Sequence, residues 1–261
     1  MIVWCAYCQR VIREVAPLTG FDISHGICAR CQARLEIDPS FSGDDRSVIE
    51  FYRALFTAAC KADRRACAEL VRRAHNMGLR PADVMLGVMQ PALVEIGEKW
   101  EQGQATVADE HEFTSWCDAM LALFEVEALP EEGLDLLIVP APGNVHCLGP
   151  RIAEQVLLGA GVRARCIVPE LPVDDLVLRI ERHRPSWIGF SCALPRMVQP
   201  SLDVAARLAD RGFSGRVILS GQAFRRFPYV HCDESLATVC LTLDEARARM
   251  LEDAHARRPN A

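Results

Sequence analysis

The chain of 261 residues lacks several features, and each absence excludes a class of function. No apolar run reaches the ~18–20 residues that a membrane span needs. The N-terminus, Met1-Ile2-Val3-Trp4-Cys5, has neither the basic region nor the apolar stretch of a secretory signal, so a cytoplasmic location is expected. Basic residues are outnumbered, 29 Lys and Arg against 35 Asp and Glu, giving a formal net charge of −6. That balance argues against a face built for nucleic acid.

Hydrophobic residues, by contrast, make up 50% of the chain, ample for a sizeable core, and the length suggests two domains or one with an appendage. There are twelve cysteines. In a cytoplasmic chain they read as thiols or metal ligands rather than as a disulfide framework.

Four of them form two knuckles, Cys5-x-x-Cys8 and Cys28-x-x-Cys31, nineteen residues apart. Two such chelating pairs fit a four-thiolate tetrahedral zinc site. His25, just before the second pair, is a candidate substitute ligand. Four ligands leave no open position, so zinc here is structural. A segment of roughly 40 residues buries little apolar surface, and metal would supply much of its folding energy. The stretch between the pairs is poor in Lys and Arg, which favours protein docking or dimerisation over nucleic-acid contact. Residues 37–46 are polar and rich in Pro, Gly and Ser, and read as a linker.

Helical periodicity follows. Val48, Phe51, Leu55 and Phe56 mark a helix over 47–60, and Cys67, Leu70, Val71 and Ala74 one over 63–77 stopped by Gly78. Pro81 opens a third, which carries Val84, Met85, Val88, Met89, Leu93 and Ile96 and runs to Trp100. A fourth starts near Ala105 with Phe113, Trp116, Cys117, Met120, Leu121 and Phe124. Short connections make these a bundle. Trp100 ends the third helix, and Glu110 and His111 open the fourth, so the turn between them brings an indole near a carboxylate–imidazole pair.

From 133 onward strands and helices alternate, the signature of a doubly wound parallel sheet. Strands are expected at 134–140, 162–168, 187–191, 216–220 and, shorter, 237–241. Helices are expected at 151–159, 173–183 and 197–211. Ligands of such sheets bind outside the carboxyl ends of the strands. Three candidate loops lie there: Asn144-Val145-His146-Cys147-Leu148-Gly149, Ser191-Cys192-Ala193-Leu194 and Ser220-Gly221-Gln222. His146 offers an imidazole, a common metal ligand. Cys147 reads as a small core residue. Residues 244–261 read as a charged helix and a frayed tail.

These motifs carry a resemblance. His146-x-x-Gly149 is similar to the Asp-x-His-x-x-Gly loop of cobalamin-binding domains, whose histidine is the lower ligand of cobalt. Ser191 to Leu194 resembles their Ser-x-Leu motif with one extra residue, and Ser220-Gly221 takes the place of their Gly-Gly. The stretch from Leu86 to Trp100 looks like the helix-bundle cap of methionine-synthase-type modules. Trp100-x9-Glu110-His111 resembles the pattern of cobalamin-dependent photoreceptors, typified by light-responsive repressors of carotenoid synthesis. The resemblance spans roughly residues 46–240.

It implies a four-helix cap over 46–128 and a flavodoxin-like cobalamin-binding domain over 133–245. A zinc-ribbon-like module over 1–40 precedes them, and a charged tail over 246–261 follows. The cofactor implied is adenosylcobalamin, with His146 on cobalt. Asn144 and Gly149 belong to its loop, and Ser191, Leu194, Ser220 and Gly221 line the slot for the nucleotide tail. Trp100, Glu110 and His111 lie at the upper face. The function implied is light sensing, with signalling through a homo-oligomer or protein partner rather than through catalysis.

Two departures bear on this. Asn144 stands where many relatives have Asp, which argues against a methyl carrier that uses a charged relay. Glu101 stands where the photoreceptors have a second histidine. No helix-turn-helix module is present, so direct DNA binding is not expected. Two alternatives stay open: a corrinoid carrier of a methyltransferase system, and a sensor that holds haem or a bilin, since His146 can ligate haem iron equally well.

Overall fold

A computed structural model describes residues 1–20, 22–38, 40, 47–124, 133–227 and 229–256. The chain divides into two compact units, Met1–Glu125 and Val126–Ala261. Most of the expected linker, 41–46, lies outside the described residues.

The first unit begins with three short strands, β1 (Ile2–Cys5), β2 (Val11–Glu14) and β3 (Ile23–Gly26). β1 is central, antiparallel to β2 and parallel to β3. Helix α1 (Ala29–Ile37) follows. The strand ends set the cysteines: Cys5 closes β1, Cys8 lies in the turn after it, Cys28 caps α1 and Cys31 sits in its first turn.

The bundle follows the apolar periodicity. Helix α2 (Ser47–Cys60) buries Val48, Phe51 and Leu55, and α3 (Arg65–Asn76) buries Cys67, Leu70 and Ala74. Helix α6 (Val107–Leu121) buries Phe113, Trp116, Cys117 and Met120. It starts two residues later than the pattern suggests, because Thr106 is its cap. The Thr106 hydroxyl accepts from the Asp109 N–H at 3.1 Å, and the Asp109 carboxylate accepts from the Thr106 N–H at 2.8 Å.

The third bundle helix differs from expectation. It is α4 (Pro81–Val84), a π-helical turn over Met85–Met89, and α5 (Gln90–Glu101). In the widened turn the Gln90 N–H donates five residues back, to the Met85 carbonyl. The cause is in the sequence. Pro91 has no N–H, and its ring would crowd the carbonyl of residue 87 in a regular helix.

The N-terminal strands belong to the same unit as the bundle and rest on this helix. Asp83, only 1% exposed, accepts the backbone N–H of Val11 at 3.0 Å. Its carboxylate also accepts from the Arg80 backbone at 3.0 Å and from the Arg80 guanidinium at 2.6 and 2.8 Å.

In the second unit a five-stranded parallel sheet has the order β5-β4-β6-β7-β8. The strands are β4 (Leu136–Pro140), β5 (Ala164–Cys166), β6 (Trp187–Ser191), β7 (Arg216–Ser220) and β8 (Thr238–Val239). Counted within the unit this is 2-1-3-4-5, the flavodoxin-like order expected, whose switch point lies between β4 and β6. Alternate side chains go to opposite faces. Leu137 and Val139 join the core under α8 (Val173–His183) and α9 (Val198–Asp210), with Leu176, Ile180, Leu202 and Leu208. Leu136 and Ile138 join the other face, with Leu157 of α7 (Leu148–Gly159) and with Ala246 and Met250. Strands β5 and β8 are shorter than the apolar runs that announced them. A short α10 (Gln222–Arg225) follows β7.

The charged C-terminal segment forms helix α11 (Leu243–Ala256), which is anchored on the sheet, and the frayed tail expected beyond it, 257–261, lies outside the described residues. Ala246, Met250 and Asp253 are buried. Asp253 pairs with Arg216 at 2.7 Å, and that guanidinium lies 5.5 Å over the Trp187 ring.

Asp83→Ala should remove the carboxylate that accepts from the Val11 N–H and from Arg80. Urea unfolding is expected to show a loss of about 1–3 kcal/mol. A midpoint equal to wild type would mean that this contact does not hold the strands to the helix.

Candidate cofactor loops and four-cysteine cluster

Parallel register brings three strand ends level. Pro140 pairs with Ser191, and Ser191 with Ser220. The three candidate loops therefore leave the same sheet edge side by side, over β4, β6 and β7. Backbone bonds tie them together: the Ala141 N–H donates to the Ser191 carbonyl at 3.1 Å, and the Cys192 N–H to the Ser220 carbonyl at 2.8 Å.

Asn144 is buried and locks the first loop. Its amide nitrogen donates to the Ser191 carbonyl at 2.6 Å, and its amide oxygen accepts the His146 N–H at 3.0 Å. An Asp could not make the first of these bonds. The amide thus serves the loop backbone, and both of its polar ends are engaged there. Glu170, in the loop after β5, holds the same turn by accepting the Gly143 N–H at 2.6 Å. Sequence reasoning missed Glu170, although its place just beyond a strand end was the available signal.

With its base pinned, the loop presents His146 to solvent, beside Val145, which is 79% exposed. Helix α7 starts at Leu148, three residues earlier than expected, so His146 stands immediately before its cap residue Cys147. Cys147 is half-buried rather than core, and its thiol donates to the Val145 carbonyl at 3.6 Å. Gly149, in the first turn, leaves open space: a Cβ there would meet nothing within 4 Å.

Gly221 is different. Its φ is +110°, and a Cβ would fall 2.4 Å from the Cys192 carbonyl oxygen. Only glycine allows this approach, and it keeps the floor between the second and third loops low. Ser191 and Ser220 are half-buried at the two strand ends. Leu194 is also half-buried but packs partly on the sheet core. Cys192 is buried, and burial pushes its thiol up to about 11 although the Ser201 hydroxyl works the other way. It is a packing residue rather than a nucleophile.

In the first unit Trp100 is 47% exposed, whereas Trp4, Trp116 and Trp187 are buried. Trp100 lies in the last turn of α5, and Glu110 and His111 lie in the first two turns of α6, across the short 102–106 connection. The His111 imidazole is 3.6 Å from the Glu110 carboxylate, whose other oxygen accepts the Thr114 hydroxyl at 2.9 Å. The expected trio therefore shares one end of the bundle.

The sulfurs of Cys5, Cys8, Cys28 and Cys31 all lie within 4.8 Å of one another, with Cys8 and Cys28 at 3.8 Å. Zinc–sulfur bonds of about 2.3 Å set tetrahedral sulfur–sulfur edges of about 3.8 Å. Burial alone would raise the Cys5 thiol, but hydrogen bonds from the backbone of Cys28, Cys8 and Tyr7, and from the Cys8 thiol, bring it down to about 6. Burial raises Cys8, and its hydrogen bonds to the other thiols and the Cys5 charge add to this. A divalent ion bound among the four sulfurs would stabilise them as thiolates. His25 lies in β3 beside Trp4 of β1, outside this set of four.

Comparison with known proteins agrees with the resemblance read from the motifs. Residues 52–125 match the family described as "B12 binding domain". Over 193 residues the chain is 28% identical to the HTH-type transcriptional repressor CarH of Myxococcus xanthus. That match covers 74% of this chain and 64% of the relative, so it spans just under two thirds of the relative's length. In fold the chain matches the monomethylamine corrinoid protein of Methanosarcina barkeri with a TM-score of 0.62 at 16% identity, over 78% of this chain and 98% of that one.

Gly221→Ala would meet both a forbidden backbone region and the Cys192 carbonyl. It should cost about 1–3 kcal/mol in denaturant unfolding. Wild-type stability in this variant would mean that the close approach is not required.

Proposed function

We propose that the protein is a cobalamin-binding sensor that responds to light through adenosylcobalamin, and that it signals by a change in assembly or partner contact rather than by catalysis. The observation that carries this reading is the exposed His146, held by Asn144 and Glu170 at the switch point of the sheet beside the glycine floor at Gly221. That arrangement suits a corrinoid whose cobalt takes a protein imidazole from below and whose nucleotide tail needs a slot without side chains. When bound, adenosylcobalamin supplies a cobalt–carbon bond that light can break.

The chain's own residues would do the rest. His146 would hold the lower face, and Gly149, Ser191, Leu194, Ser220 and Gly221 would border the tail. We assign Trp100, Glu110 and His111 to the upper face. An indole left half in solvent, when every other tryptophan is buried, is available to cover a flat apolar ligand. Asn144, committed to backbone on both sides, brings no charge to the lower ligand, which favours a sensor over a methyl carrier. The four cysteines would hold one structural zinc ion.

The test of the cofactor reading is the absorption spectrum of the adenosylcobalamin-loaded chain before and after green light, with the elution volume followed in parallel. His146→Ala should lose the spectral signature of imidazole on cobalt and retain the cofactor less well. Trp100→Ala should still bind but change the photolysis rate. A spectrum identical in His146→Ala would refute the lower-ligand assignment. Photochemistry and assembly indifferent both to light and to Trp100→Ala would refute the sensor, leaving a methyl carrier to be tried with partner methyltransferases. For the metal, protein purified under reducing, chelator-free conditions should hold about one zinc per chain, lost in Cys5→Ser or Cys28→Ser. Metal analysis that finds none would remove zinc from the reading.

A further inference from the structure

The helix that ends in Trp100 has a weak point, and the cysteine-bearing strands sit on it. At Met85–Met89 the helix widens into a π turn because Pro91 can neither donate a hydrogen bond nor approach the carbonyl of residue 87. Turns of this kind are where helices bend. Gly87 lies inside it. A Cβ on Gly87 would fall 2.1 Å from Cζ2 of Trp4 and 2.7 Å from Cγ2 of Val11. Trp4 is wholly buried, and the Val11 N–H is bonded to Asp83 one turn earlier. The strands therefore occupy the side of the helix that the missing side chain of Gly87 leaves open.

Both contact residues adjoin the cysteine cluster. Trp4 precedes Cys5 in β1, and Val11 opens β2 three residues after Cys8. The position of the Trp4 ring and of the Val11 backbone thus depends on whatever fixes the turn between them. Trp100 lies eleven positions beyond Met89, a rise of about 16 Å, so a bend of about 10° at the turn displaces Trp100 by about 3 Å.

We propose that the four-cysteine site is a metal clasp which, through Trp4 and Val11 seated on Gly87, sets the bend of the Pro81–Glu101 helix and so makes the placement of Trp100 depend on metal occupancy. The clasp rests on the zinc reading above, and its consequence for the cofactor rests on the assignment of Trp100 to the corrinoid. Zinc is held by four thiolates, and its loss returns protons to the thiols without any redox step. The effector is a divalent cation.

The experiment is amide hydrogen exchange on the full chain without corrinoid, zinc-loaded and then stripped with EDTA under reducing conditions, with metal content measured on each sample. Stripping should speed exchange in the strands and, by about tenfold or more, in residues 85–101, while α3 stays as it was. Gly87→Ala, with its zinc retained, should reproduce the change in 85–101 and free the Val11 amide. Trp4→Phe, a milder change that keeps every cysteine, should move the same amides less. Stripped protein with exposed strands but unchanged exchange over 85–101 would overturn the clasp, and so would zinc-loaded Gly87→Ala that exchanges like wild type. A wild-type chain without zinc would overturn the metal reading itself and the clasp with it. In adenosylcobalamin-loaded protein the photolysis rate should differ between zinc-loaded and stripped samples. An equal rate alongside altered exchange would leave the clasp standing and refute the Trp100 assignment.

Discussion

The register between β4, β6 and β7 is the constraint on which the candidate site depends. A parallel sheet satisfies its backbone only when its strands are aligned, and buried faces on both sides fix that alignment, since a slip of one residue would turn Leu137, Val139, Ile188 and Leu219 away from their core. With the register set, Pro140, Ser191 and Ser220 fall level, and the residues after each become neighbours. Asn144 reaches the Ser191 carbonyl because that carbonyl stands at the end of the adjacent strand. The position of His146 is thus a consequence of sheet packing passed on through one amide side chain.

Two glycines do opposite work from the same lack of a Cβ. Gly221 lets one loop backbone approach another, at Cys192, and clears a floor where a ligand is expected. Gly87 lets an indole press onto a helix at the turn that Pro91 has widened. The first concerns space left empty and the second space filled. The opposite sense of the two is visible only from what surrounds each residue.

The cysteines likewise divide by environment. Burial raises the thiols of Cys67, Cys117 and Cys240 among apolar neighbours, which makes them inert packing groups. In the N-terminal cluster, backbone N–H groups point at the Cys5 sulfur and counter that burial, so negative charge is tolerated there. A cation is the natural complement of such a set.

Much of the molecule was legible in the sequence because local patterns encode it. Apolar spacing of three and four marked the bundle, alternation of strands and helices marked the parallel sheet, and paired cysteines marked the cluster. The family resemblance rested on short motifs that keep their spacing. What the sequence did not disclose depends on contacts between distant segments. The π turn could have been suspected from Pro91, but the strands seated on it could not, since Trp4 and Gly87 are more than eighty residues apart. Nor could the dual bonding of Asn144 or the hold of Glu170 on the His146 loop be read from residue types, because hydrogen-bond partners across a sheet are fixed by register. The anchoring of the C-terminal helix was decided in the same way: the sequence pattern announced a charged helix, and only packing brings Ala246 and Met250 onto the sheet and Asp253 to Arg216. Periodicity and chelating spacing are properties of neighbours in the chain, so the sequence determined them alone. Close approach and burial are properties of neighbours in space, and the tertiary structure decided those.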